Sequence, residues 1–446
     1  MLKKFITLFI VPVMVAGMTA NGQTADGIKF TEYDLPNGLH VILHKDDHTP
    51  NAVVSLMYHV GAKNEDTART GFAHLFEHLL FEGSKYIDRG DYMKIVQANG
   101  GSLNANTTQD RTYYYELMPS NQLELALWME SERMLHAKID TIGVNTQKGV
   151  VIEEKKQSYD NRPYGSWMYE LGRRAYTVHP YRWQTIGSEE HIRNSTFDDV
   201  YNFYKTFYVP NNAALVVVGD IDEEQTKKWI AKYFGDIPRG SLPIYRPTVT
   251  EPEQKAEIRD TIYDNIQLPA IFMGYHGPAM TEDAYAVDIL ASILSSGASS
   301  RFKTNITDKG LSLQTMMFPH IQEHPGLIYV IGVGNMGKDI VSVDSALNAE
   351  IDRIRTEPVS EEEFQMAMAA KEFAVAAGKT NLENIASGLA ENYTYLRDAG
   401  RINRVLSHYQ KVTREDVLRV AKKYLAPSNR VTLCYLPKSA QTKEQE

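Results

Sequence analysis

The stretch NAVVSLMYHVGA, residues 51–62, returns in altered form as PAIFMGYHGPA, residues 269–279. Each is a short apolar run that ends in Tyr-His, Tyr58-His59 in the first and Tyr275-His276 in the second, and each reads as a buried strand. A helical segment follows each run and closes on a glycine, Gly83 or Gly297. The recurrence marks an internal duplication of roughly 200 residues per copy, with strands and helices mixed in each half. Between the copies, FGDIPRGSLPIYRPTVTEPEQ (residues 234–254) collects four prolines and two glycines with little periodicity, the composition of a linker. The expected organisation is a first domain over residues 24–238, a linker over 239–256 and a homologous second domain over 257–446.

A chain of 446 residues with 43% hydrophobic composition can bury a core in each copy. The 47 basic and 56 acidic residues leave a formal charge of −9, which gives no electrostatic footprint for nucleic acid. At the N-terminus Lys3 and Lys4 precede an apolar run from Phe5 to Met18, followed by small and polar residues through Gly22. This is the pattern of an export signal over residues 1–22, too short for a membrane span. Expected localisation is therefore exported: periplasmic in a source with an outer membrane, secreted otherwise. No cysteine lies near the cleavage region, so no lipid anchor is expected, and no other stretch approaches spanning length. Cys434 is the only cysteine, which excludes an intramolecular disulfide.

One segment stands apart from this pattern. GFAHLFEHLL, residues 71–80, sets two histidines and a glutamate inside an otherwise apolar helix. Aligned on Gly83 and Gly297, His74, Glu77 and His78 fall opposite Asp288, Ala291 and Ser292. A trio absent from the twin is not required by the fold, which points to chemistry. At about 100° per residue the three share one face, with the imidazoles one turn apart. Two such imidazoles can hold Zn²⁺, and the intervening carboxylate can reach water at the metal; H-x-x-E-H is the inverted zinc-peptidase order. A third protein ligand is needed. In TQKGVVIEEKKQ (residues 146–157), Gln147, Val150, Val151 and Glu154 share a helical face that Glu153 does not. This favours Glu154, with other helical carboxylates still open.

The motif His74-Leu75-Phe76-Glu77-His78, followed after 75 residues by Glu154, resembles the pitrilysin or insulinase family of zinc endopeptidases, and the resemblance extends over nearly the whole mature chain. It takes in GGSLNANTTQDRTYYY (residues 100–115), YDNRPYG and NNAALVVVGDID. It implies His74, His78 and Glu154 as ligands of one zinc per chain and Glu77 as general base. It implies an α+β fold of two half-barrel domains, each an antiparallel sheet flanked by helices, with two chains closing as a clamshell around a chamber for peptide substrates. Asn104, Ala105 and Asn106 match the family's substrate-edge strand, where an extended peptide gains main-chain hydrogen bonds by strand addition. Two positions depart from the family. Gln147 stands where a supporting glutamate is usual, keeping hydrogen bonds but no charge near the ligands. Ile306 and Leu313, around DKGLSL, replace an arginine and a tyrosine that reach substrate across the chamber. Arg301 is read as a loop arginine rather than their substitute. The loss of that donor pair suggests a heterodimer in which a homologous subunit supplies it. The alternative class is a non-catalytic scaffold resembling the core proteins of respiratory complexes.

Overall fold

The computed structural model describes residues 27–444, so the expected export signal lies outside the described residues. The first sheet is built from β1 (Thr31–Asp34), β2 (His40–Lys45), β3 (Asn51–Tyr58), β4 (Ser102–Thr107), β5 (Thr112–Pro119) and β6 (Ala213–Gly219), in the order β1-β2-β6-β3-β5-β4. The second holds β7 (Ile258–Asp264), β8 (Ala270–His276), β9 (Ser312–Pro319), β10 (Leu327–Gly334) and β11 (Arg430–Pro437), in the order β7-β11-β8-β10-β9. Without β1 the two orders are the same walk through the same topology. The duplication read from the Tyr-His strands is therefore physical: β3 and β8 occupy equivalent positions, and Tyr58 and Tyr275 at their ends are both fully buried. Neither sheet closes into a barrel. Each is antiparallel apart from one parallel pair, β2 with β6 and β7 with β11.

The helices that position the site are α1 (Phe72–Leu79), α2 (Leu123–Leu135), α3 (Thr141–Lys155), α4 (Trp167–Ala175), α5 (Glu282–Ser295), α6 (Glu361–Gly378) and α7 (Leu382–Leu396). Strand alternation divides the first sheet between two cores. Val41 and Leu43 of β2 and Val54 and Leu56 of β3 pack with α1, whereas Ile42 and Val53 face the opposite side. That opposite side is covered by Ile385, Ala386, Leu389 and Ala390 of α7, a helix from the second half. The exchange is reciprocal: Leu171 and Ala175 of α4, from the first half, cover Phe272, Leu433 and Tyr435 of the second sheet. Both sheets are thus buried on both faces, which is why β6 reads AALVVVG without polar alternation. The stretch between Phe234 and Ile258 contains neither helix nor strand, yet the packing crosses it in both directions. Among the described residues no helix is long and apolar enough to cross a membrane.

A buried ionic cluster joins the halves. Lys63 is inaccessible to solvent and donates to Asp110 Oδ1 at 2.9 Å and to Glu323. Glu323 lies in the β9–β10 turn of the second half and also meets His59 Nε2 at 2.7 Å. Tyr181 closes the cluster by donating to Asp110 at 2.6 Å. Hydrogen bonds and charge from His59 and Lys63 outweigh burial and hold the Glu323 carboxyl down at about 2.

Candidate metal centre

Helix α1 is fixed at both ends. Gly71 precedes it at φ +100, where a Cβ would approach Ile192 Cδ1 to 2.8 Å, so only glycine fits the entry turn. The exposed N–H groups of the first turn are taken by buried Glu65, which accepts from Gly71 N at 2.9 Å and Ala73 N at 2.8 Å. Beyond the last turn, buried Arg133 of α2 donates to the Leu80 carbonyl at 2.8 Å while paired with Glu130 at 3.0 Å. The Arg133 guanidinium is stacked against Phe81, Tyr92 and Tyr114. A helix held this firmly cannot rotate its polar face.

That face carries His74, Glu77 and His78, and α3 packs against it with Glu154. His74 Nε2 lies 3.6 Å from Glu154 Oε1 and His78 Nε2 lies 3.2 Å from Glu154 Oε2. The imidazole centroids are 4.8 Å apart. Among the described residues, His74, His78 and Glu154 form the one cluster whose donor atoms converge closely enough to share a cation. One donor atom from each of the three lies within 4.8 Å of the others, and two imidazoles with a carboxylate are a donor set that suits zinc. The protonation states fit as well. Burial, reinforced by His78, pushes the His74 imidazole down to about 4, leaving it in the neutral form that binds metal. A hydrogen bond from His78 holds the Glu154 carboxyl below its ordinary value. Glu153 points to solvent.

Glu77 is not turned to Glu154. Its Oε2 accepts from Thr107 Oγ1 at 2.6 Å, at the end of β4. Burial raises the Glu77 carboxyl, with the Thr107 hydrogen bond opposing, which moves it toward the range useful to a general base. Sequence reading missed Thr107; its only signal was adjacency to the NAN segment. Strand β4 is an open edge of the sheet, and Asn104, Ala105 and Asn106 lie on it. The Ala105 N–H is held by Asn104 Oδ1 at 2.9 Å. Asn106 is tied into its own hairpin, its carbonyl accepting from Arg111 at 3.1 Å and its side-chain oxygen from the same guanidinium.

Gln147 lies two turns before Glu154, and its amide donates to Glu82, not to a metal ligand. Glu82 is buried one turn beyond His78 and is also paired with Arg89, which reaches Asp140 at 2.9 Å. Asp140 caps α3 through Gly143 N at 2.7 Å. The charge absent at position 147 is therefore present on Glu82, across the same contact. In the second half Ile306 is buried, Leu313 is exposed, and Arg301 is committed to Glu363 at 2.6 and 2.9 Å.

Family models match both halves: insulinase (peptidase family M16) over residues 40–187 and the peptidase M16 inactive domain over residues 194–371. The chain belongs to the insulinase family of peptidases. Among its insulinase-family relatives is the zinc protease PqqE of Helicobacter pylori, 26% identical over 416 residues, covering 92% of this chain and 93% of that one. A mitochondrial-processing peptidase subunit beta from Lentinula edodes is 23% identical, covering 92% and 90%. The crystal structure of a protease from Helicobacter pylori superposes with a TM-score of 0.87 at 26% identity, covering 92% of this chain and all of that one. The insulinase match contains His74, Glu77, His78 and Glu154, whereas the inactive-domain match begins within the first half, taking in β6, and carries none of the four.

Proposed function

We propose that the chain is the zinc-bearing subunit of an endopeptidase that hydrolyses peptides or unfolded segments, with His74, His78 and Glu154 holding one Zn²⁺ and Glu77 as general base. The observation that carries this is the convergence of two imidazoles and one carboxylate, their donor atoms within 4.8 Å of one another, beside a separate, partly buried carboxylate. Two histidines and a glutamate leave a fourth position open, as a catalytic site needs and a structural site does not. When bound, zinc supplies Lewis-acid polarisation of the scissile carbonyl and of the attacking water.

The protein's own groups do the rest. A peptide adds to the edge of β4 through main-chain hydrogen bonds, with Asn104, Ala105 and Asn106 setting its height above α1. Because Thr107 occupies Glu77 Oε2, Oε1 is the atom free to take the proton of the attacking water and return it to the leaving amine. With Ile306 buried and Leu313 apolar, the second half offers no donor pair at those positions to the developing oxyanion, and Arg301 is already engaged. A homologous subunit that supplies an arginine and a tyrosine completes the site, and the basic, apolar, small-residue run of residues 1–22 directs the chain to export, into the periplasm where the source has one.

The test is Glu77→Gln. It keeps zinc and lowers hydrolysis of a quenched-fluorescent peptide library at least about a thousandfold. Wild-type chain with zinc but no hydrolysis under any pairing with a homologous subunit refutes the catalytic reading.

A further inference from the structure

A cavity of about 610 Å³ is built from the first half alone, where α3 ends and α1 begins. Lys155, next to Glu154, and Thr70, next to Gly71, both stand on its wall. Its volume lies within the range of about 300–1,000 Å³ usual for a ligand site. Four of its lining residues, Tyr169, Arg182, Trp183 and Gln184, also line a smaller cavity of about 220 Å³ that includes Thr107 and Tyr159. Thr107 is the residue that holds Glu77, so the larger cavity is one step removed from the reacting centre.

The charged walls are three cations and one carboxylate: Lys155, Arg173, Arg182 and Glu189. On a chain of net charge −9 this is a local reversal of sign. Most of these charges are answered from residues outside the cavity. Lys155 meets Asp160 at 2.7 Å, Arg173 meets Glu170 at 2.7 Å and Glu189 meets Arg193 at 2.6 Å. Arg182 is the exception. Its Nη1 donates to the Thr177 carbonyl at 2.9 Å, and among the described residues no carboxylate pairs with it. The rest of the guanidinium is a planar fork that matches a carboxylate bidentately. His191, also on the wall, offers a neutral donor. The Thr70 N–H donates to His191 Nδ1 at 3.3 Å, so Nδ1 is an acceptor and the ring proton sits on Nε2. A cleft with a surplus of one sign concentrates ligands of the other.

We propose that this cavity is a subsite for a carboxylate of the bound peptide, with Arg182 as its ion-pairing partner and His191 as a neutral donor in the same cavity. The carboxylate is that of an aspartate or glutamate side chain or of the peptide's C-terminus, which present the same planar anion. The assignment rests on the peptidase reading for its ligand class, but the subsite binds without turnover. Arg182 is exposed, so water and salt screen the pair. The expected gain in affinity is therefore about fivefold, and it shrinks as salt rises.

The experiment uses the full chain carrying Glu77→Gln, loaded with zinc, and short alanine-rich peptides bearing a neutral fluorophore, read by fluorescence anisotropy at low and at high salt. One peptide has an internal glutamate and an amidated C-terminus, one has a free C-terminus and no acidic side chain, and two amidated controls carry glutamine or lysine instead of glutamate. At low salt at least one acidic peptide binds about fivefold more tightly than the glutamine control, and the gap closes at high salt. A gap carried by the glutamate peptide assigns the subsite to side chains, and one carried by the free acid assigns it to the C-terminus. Arg182→Gln closes the gap without weakening the glutamine control. Arg182→Glu moves the preference to the lysine peptide, a gain that a misfolded chain cannot show. Equal binding of all peptides, no binding of any, a lysine preference with Arg182 in place, or a gap that survives Arg182→Gln overturns the proposal. The peptidase reading is judged separately, by zinc content and wild-type hydrolysis. An acidic preference in a chain that takes up no zinc keeps the subsite and removes the metal centre, whereas zinc-dependent hydrolysis without the preference does the reverse.

Discussion

In the first half, α1 and α3 face each other across His74, His78 and Glu154; in the second, α5 and α6 face each other across an ion pair. Asp288, opposite His74 in the duplication, meets Lys371 of α6 at 2.8 Å and accepts from Tyr409 at 2.6 Å. Ala291 and Ser292, opposite Glu77 and His78, are buried without any charge to neutralise. The same helix pair is thus closed by its own opposite charges in one copy and left with two imidazoles and a carboxylate around a cation-sized space in the other. The twin shows what the scaffold needs for stability, and the difference isolates what it does not.

The largest expected effect comes from removing a metal ligand from the first half. His78→Ala or Glu154→Ala abolishes stoichiometric zinc binding, read by metal analysis after gel filtration, while far-ultraviolet circular dichroism stays unchanged because the twin folds without these groups.

The contact between the halves is next. Lys63→Ala strands the Asp110 and Glu323 carboxylates in the interior and costs about 3–5 kcal/mol in urea unfolding, since a buried pair broken on one side leaves uncompensated charge. Leu389→Ala, in the α7 helix that covers the opposite sheet, costs about 2–5 kcal/mol. A loss well below these ranges means that the halves are stable without the exchange.

The entry of α1 sharpens the comparison through pH: α5 begins with Glu282 and Asp283, the latter paired with Arg419 and Lys423, whereas the first turn of α1 is capped by buried Glu65. Burial raises the Glu65 carboxyl to about 8 against an ordinary 4.5, although the helix N–H groups oppose this. The folded state therefore binds this proton more tightly than the unfolded chain. The stability it contributes is complete below about pH 4.5 and is lost as pH rises through about 8. Unfolding free energy measured across this window should decline in wild type relative to Glu65→Gln, which cannot ionise. Parallel profiles contradict it.

The smallest effect belongs to the twin's own substitute. Lys371→Ala breaks a partly buried ion pair but leaves Asp288 its hydrogen bond from Tyr409, and costs about 1 kcal/mol, with zinc content unaffected.

Much of this was legible in the sequence because it rests on local pattern. Paired apolar strands ending in Tyr-His gave the duplication, and helical spacing gathered His74, Glu77 and His78 on one face. The helical wheel turned Glu154 inward and Glu153 out, as the coordinates have them. What depends on partners distant in sequence was not legible. An apolar stripe on α7 says that it is buried but not that it crosses to the other sheet. Gln147 read as a lost charge because Glu82, which meets it, lies 65 positions away. The edge strand drew attention to its asparagines, while the residue that touches Glu77 is the threonine after them.

The central claim is that the first half, and not its twin, is a zinc site. Zinc counted per chain by inductively coupled plasma mass spectrometry tests it most directly. The account predicts one equivalent in wild type, in Glu77→Gln and in Asp288→Asn, and none in His78→Ala. Wild-type chain without stoichiometric zinc after metal supplementation, or zinc retained in His78→Ala, contradicts it.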